Sequence, residues 1–223
     1  MLHFVGSSED SMRREFQLSN GGRQRLIGRW NALCSSLGLD PDQHFSVLDD
    51  LLIRYTEPQR YYHNLAHLDA LLALLPAQPH LELAVWFHDA VYDPTRTDNE
   101  PQSARLAEQS LQRLGVAPAL IQRVVGLILA TQHHRSDDLE TALFLDADLA
   151  ILGAEARTYR AYARAIRLEY AWLPEALFKE RRAMVIRQFL SRERIYQTAG
   201  FAGLEQPARN NLQGELAALV RPS

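Results

Sequence analysis

Apolar residues recur at spacings of three and four along most of the chain. Leu65, Leu68, Leu72 and Leu75 form one such set; Ile121, Val124, Val125, Ile128 and Leu129 form another. Tyr159, Tyr162, Ile166 and Tyr170, and then Leu212, Leu216 and Leu219, continue the pattern, and each set falls on one face of a helix. Proline and glycine punctuate the same segments. Asp40-Pro41, Ala117-Pro118 and Leu173-Pro174 place proline near helix starts, where a missing N–H costs little, and Gly38, Gly115 and Gly200 fall near ends. The run Leu81 to Phe87 has the composition of a buried strand, but it follows Pro79 and lies between helical neighbours. It is therefore read as a buried helix continuing through Ala90 and Val91. Nothing in the chain sustains the alternation of a sheet or repeats at solenoid length. The expectation is an all-α, compact single-domain bundle of about eight to ten helices. Residues 1–22 are polar and end in Ser19-Asn20-Gly21-Gly22, which predicts a flexible leader before a helical domain over 23–223.

Composition narrows the class. The 223 residues are 47% hydrophobic and 23% charged, which suits an ordinary globular chain with enough length for one core. Lys and Arg number 24 against 27 Asp and Glu, a net charge of −3, with no block of like charges. That balance disfavours electrostatic attachment to a nucleic-acid polymer or a membrane. Cys34 is the single cysteine, so an intramolecular disulfide and a Cys-rich zinc site are both excluded, and a reducing, cytoplasmic setting is expected. Trp30, Trp86 and Trp172, with Tyr159, Tyr162 and Tyr170, are read as core packing.

Four stretches carry candidate chemistry: Tyr62-His63-Asn64-Leu65-Ala66-His67, Phe87-His88-Asp89, Thr131-Gln132-His133-His134 and Leu145-Asp146-Ala147-Asp148-Leu149. A lone histidine on an apolar helix is ordinarily a hydrogen-bonded core residue, so their order matters more than any one of them. His63 and His67 are four apart and share a face if both are helical, which lets them converge on one ion. Asn64 stands where a zinc protease of the HExxH type needs its glutamate, so that reading is excluded. His88 and Asp89 close the most apolar run, where an ionised aspartate needs a cation or several donors. Asp146 and Asp148 project roughly 200° apart on a helix, so one faces an ion. Asp146 is read as the outward, solvated or supporting carboxylate and kept as an alternative ligand. Two imidazoles and two carboxylates suit Mn²⁺, Fe²⁺, Zn²⁺ or Mg²⁺ with positions left open for water and a phosphoryl oxygen. The remaining candidates each have a plain structural alternative. His133 and His134 are extra ligands or an exposed helix end; Asn99 and Glu100 are substrate contacts or a helix start. Arg60, Arg167 and Arg209 are phosphate clamps or paired surface residues.

The ordered set His67, His88-Asp89 and Asp148 on a helical chain resembles the HD superfamily of metal-dependent phosphohydrolases. Tyr62-His63-Asn64-x-x-His67 and Leu127-Ile128-Leu129-Ala130-Thr131 are also similar to its cyclic-nucleotide phosphodiesterases. Phe87 to Tyr92, Asn99-Glu100, Ile166 to Tyr170 and Ala208 to Leu212 look like uncharacterised single-domain members described as predicted phosphohydrolases, over roughly residues 24 to 219. The resemblance implies His67, His88, Asp89 and Asp148 as metal ligands, His63 as the acid that protonates the leaving oxygen, and metal-activated water oriented by Asp89 or Asp148. It also implies that His133 or His134 serves a second metal or a substrate phosphate. The expected substrate is a phosphomonoester or phosphodiester in a small molecule, nucleotides included. Two alternatives remain open: an HD-type diiron oxygenase, and a non-catalytic module that a metal only stabilises. The oligomeric state is left unspecified.

Overall fold

The computed structural model describes residues 16–221. Ten α-helices form among the described residues, with no strand: α1 (Asn20–Ser36), α2 (Pro41–Tyr55), α3 (Leu65–Leu74), α4 (Pro79–Phe87), α5 (Asn99–Arg113), α6 (Pro118–Ala130), α7 (Leu139–Asp148), α8 (Ala156–Glu169), α9 (Glu175–Leu190) and α10 (Glu205–Leu219). Short 3₁₀ turns occupy Leu149–Gly153 and Ala199–Leu204. The chain is all-α, as its periodicity predicts. The described residues group into two compact units, 16–135 with α1 to α6 and 136–221 with α7 to α10.

Residues 1–15 of the expected leader lie outside the described residues. Residues 20–22 of it fall in a helix. Ser19 is extended and its side chain accepts a hydrogen bond from the Gly22 N–H at 3.1 Å, so α1 begins at Asn20 and Gly22 is buried. A serine cap satisfies a donor that would otherwise be orphaned, which offsets the poor helix propensity of the two glycines. Gly38 and Gly115 end α1 and α5 with φ of +67° and +74°, the left-handed conformation glycine adopts most readily. Gly200 instead lies inside a 3₁₀ turn.

In the 16–135 unit, α4 is buried at every position from His80 to Phe87, as expected of a helix that is apolar nearly all round. Trp86 meets the edge of Trp30 at 5.2 Å between ring centroids, and both are fully buried. Buried Glu82 is held by Arg29, whose Nη2 donates to Glu82 Oε1 at 3.0 Å and whose Nη1 donates to the Leu72 carbonyl at 2.7 Å. The helix does not continue to Val91, contrary to the reading of the sequence. It ends at Phe87, and the Ala90 N–H turns back to the Phe87 carbonyl at 3.1 Å. The Asp89 and Ala90 carbonyls are instead taken by the Arg60 guanidinium at 2.6 and 3.1 Å.

In the 136–221 unit, Arg182 of α9 donates from Nε and Nη2 to the two carboxylate oxygens of Glu215 on α10, at 2.7 and 3.1 Å. The Tyr159 hydroxyl of α8 donates to the same carboxylate, so one buried anion ties three helices. Trp172 is 48% exposed in the turn before α9, which corrects its reading as core; Tyr159 and Tyr162 are buried as expected. Cys34 is buried, and burial pushes its thiol up to about 12, which keeps it unreactive. Among the described residues no helix is long and apolar enough to cross a membrane.

Candidate metal centre

Local folding brings three donors together within the 16–135 unit. Asn64 caps α3, accepting a hydrogen bond from the Ala66 N–H at 2.9 Å while its amide donates to the Tyr61 carbonyl at 3.1 Å. The helix therefore starts at Leu65, with His67 buried in its first turn. His63 lies ahead of the cap, so the expectation that His63 and His67 share a helix face is corrected. The two rings still approach, at 5.8 Å between centroids, and His63 stacks on Tyr92 at 4.3 Å.

His88 follows the last residue of α4. Its Nδ1 lies 2.9 Å from the Val85 carbonyl, and because a carbonyl only accepts, Nδ1 carries the hydrogen. Its Nε2 sits 3.1 Å from His67 Nε2 and 3.1 Å from Asp89 Oδ2. His67 Nε2 is 3.7 Å from the same carboxylate oxygen. A proton or a metal ion between these atoms would offset their mutual repulsion. Donors bound about 2.1 Å from one cation at tetrahedral to right angles stand roughly 3.0 to 3.4 Å apart, close to the spacing found here. His67, His88 and Asp89 accordingly form a group able to hold an ion. Burial pushes the Asp89 carboxyl up, but the charge and hydrogen bond of His88, with the charges of His63 and His67, outweigh it and hold the group well below the usual carboxylate range. The Tyr55 hydroxyl accepts from the Asp89 N–H at 3.2 Å and helps fix the turn.

The other candidate residues take different places. Asp148, the expected fourth ligand, is the half-buried last residue of α7 in the 136–221 unit. Asp146 is fully buried rather than outward and solvated. Its carboxylate accepts from the Gln197 N–H at 2.9 Å and from the Thr198 N–H and hydroxyl at 2.7 and 2.6 Å, which corrects it as an alternative ligand. Charged hydrogen bonds of this kind are worth about 1.5 to 3 kcal/mol each. Asp146→Asn is expected to lower stability by about 2 kcal/mol in urea unfolding; an unchanged midpoint would contradict this role.

His133 and His134 lie in the turn after α6 and do not join the three-donor group; His133 is exposed and His134 has φ +48°. Asn99 closes the loop before α5, its amide oxygen accepting from the Asp93 N–H at 3.1 Å and its nitrogen donating to the Asp93 carbonyl at 2.9 Å. Glu100 sits in the first turn of that helix, so the helix-start reading describes both. Arg167 donates to Glu175 and to the Tyr170 and Leu173 carbonyls. Arg209 donates to Glu205 and to the carbonyls of Leu190, Arg192 and Glu193. These arginines cap helix ends, which is the structural alternative for both. Arg60 is buried and its guanidinium is directed at backbone carbonyls.

Tyr55, Tyr92 and the Val85 carbonyl contribute to the centre without having been expected. A histidine just past a helix end is placed to reach back to a free carbonyl, so the Val85 contact had a readable signal. An open hollow of about 530 Å³ adjoins the 90–94 turn and is lined by Arg54, Arg60, Tyr92 and Arg96 among others; it does not include His67, His88 or Asp89. No family model matches the chain, and no match was found among curated proteins or solved structures.

Proposed function

We propose that the chain is a metal-dependent phosphohydrolase acting in the cytoplasm on a phosphomonoester or phosphodiester of a small molecule. The observation that carries this reading is the convergence of His67 Nε2, His88 Nε2 and Asp89 Oδ2 at 3.1 to 3.7 Å. The donor set fits a divalent cation such as Mn²⁺, Fe²⁺, Zn²⁺ or Mg²⁺. When bound, the ion would supply Lewis-acid activation of water and of a phosphoryl oxygen. Asp89 keeps its negative charge at neutral pH and serves to orient the attacking water. His63, half-buried and stacked on Tyr92, is the proposed donor of a proton to the departing oxygen. A nucleotide substrate rests on the local resemblance alone.

A panel of phosphomonoesters and phosphodiesters, assayed with Mn²⁺, with Mg²⁺ and with chelator, tests the reading. Phosphate or alcohol release that needs the metal and stops with chelator is expected. Equal turnover in chelator, or none on any phosphoester with any divalent metal, would overturn it. The same donor set favours one second reading, because two histidines and one carboxylate also suit ferrous oxygen chemistry. Activity with Mn²⁺ or Mg²⁺ under anaerobic conditions separates hydrolysis from oxygenation.

A further inference from the structure

Arg60 has the least exposed guanidinium near the metal centre, with its side chain 1% exposed, yet its ionic partner among the described residues is the partly exposed Glu57. Nε donates to Glu57 Oε2 at 3.0 Å. The rest of the fork is directed at main-chain oxygens: Nη1 donates to the His63 carbonyl at 3.1 Å and the Asp89 carbonyl at 2.6 Å, and Nη2 donates to the Ala90 carbonyl at 3.1 Å. The guanidinium carbon lies 5.0 Å from the centre of the Tyr55 ring and 5.4 Å from that of Tyr92. Those rings are themselves tied to the centre, since the Tyr55 hydroxyl accepts from the Asp89 N–H and Tyr92 stacks on His63. A single planar cation thus spans two segments with no helix in common: the bend that carries His63 and the turn that carries His88 and Asp89.

We propose that Arg60 is a positioning residue that sets metal affinity and the placement of His63, by locking the His63 bend to the His88-Asp89 turn through their backbone carbonyls. The proposal rests on the metal-centre reading above. Lysine cannot replace arginine here. Its ammonium is a compact point charge that has three donors and no planar fork, so it reaches fewer of these carbonyls in their fixed directions. With the lock loosened, the Asp89 carboxylate and the His88 ring no longer hold their spacing before a cation arrives, and binding must supply that order.

The test uses the full chain and Co²⁺, whose visible absorption reports coordination. Wild-type protein is expected to bind Co²⁺ with a defined spectrum. Arg60→Lys, shown folded by circular dichroism and cooperative melting, is expected to bind about 10- to 100-fold more weakly, the range typical of groups that orient metal ligands, and with an altered spectrum. Arg182→Met, which breaks an ion pair in the other unit, controls for stability: it is expected to melt earlier and leave Co²⁺ affinity and spectrum unchanged. If Arg60→Lys does not fold, Glu57→Gln, which weakens the Nε contact and the exposed Gln59 amide's bond to the same carboxylate, is expected to lower Co²⁺ affinity several-fold. Wild-type binding with unchanged affinity and spectrum in the folded Arg60 variant, or in the Glu57 variant where that one is needed, overturns the role of Arg60 and leaves the metal centre standing. An equal loss in Arg182→Met also overturns it, because the effect would then be one of stability. Absence of Co²⁺ binding by the wild type overturns the metal centre itself, and the role of Arg60 with it.

Discussion

Replacing His88 by alanine is expected to bring divalent-metal retention to background and turnover to zero. The ring occupies the middle of the centre, with its Nε2 equally close to His67 and Asp89, and the Val85 carbonyl holds its other nitrogen in the donor form. Removing it would take away a proposed ligand and leave His67 and Asp89 without the atom that joins them. The loss should exceed the roughly 100-fold ceiling typical of residues that only orient ligands. Asp89→Asn offers the gentler variant, since it keeps the shape and removes the charge, and it should fail in the same way. Elemental analysis after gel filtration, beside circular dichroism to confirm folding, checks both. Wild-type metal content in either folded variant would contradict the assignment.

The largest expected effect on stability lies in the 136–221 unit. Arg182 and Glu215 are only 10% and 12% exposed and pair through two hydrogen bonds, with Tyr159 donating to the same carboxylate. Burial, followed by the Glu215 charge, pushes the Tyr159 hydroxyl far above its ordinary value, so it remains a protonated donor throughout the physiological range. Removing one member of a buried pair strands the other, at a cost of about 3 to 5 kcal/mol. Arg182→Met should therefore lower the urea midpoint by that equivalent with little change in slope. Adding Glu215→Leu should recover much of the loss, because the stranded charge goes with it. A single variant within 1 kcal/mol of wild type, by the same rough scale, would mean that water reaches the carboxylate.

The helices were legible because burial imposes a period on side chains, and Leu65 to Leu72 or Tyr159 to Ile166 display it directly. Proline at the first position of α2 and α6, and just before α9, marked starts for a reason that acts locally. Where tertiary contacts decide the outcome, the sequence carried no trace. The end of α4 depends on Arg60 taking the carbonyls of Asp89 and Ala90, and a backbone acceptor has no residue type. For the same reason Arg60, Arg167 and Arg209 resembled phosphate clamps when read singly. Asp146 was expected to be the more solvated carboxylate, yet it is sealed by Gln197 and Thr198, about fifty positions away in the chain. His63 is the instructive exception. Asn64 is a favoured cap residue, and that alone would have placed His63 before the helix. The grouping of helices into two units had no counterpart in the periodicity, which records buried faces and not the neighbours that bury them.

The most direct measurement is anomalous diffraction from crystals of the protein soaked in Mn²⁺. The account predicts a peak within bonding reach of His67 Nε2, His88 Nε2 and Asp89 Oδ2 at once. Well-ordered density for all three side chains with no anomalous peak among them, at a concentration where Mn²⁺ supports phosphoester hydrolysis, would contradict it.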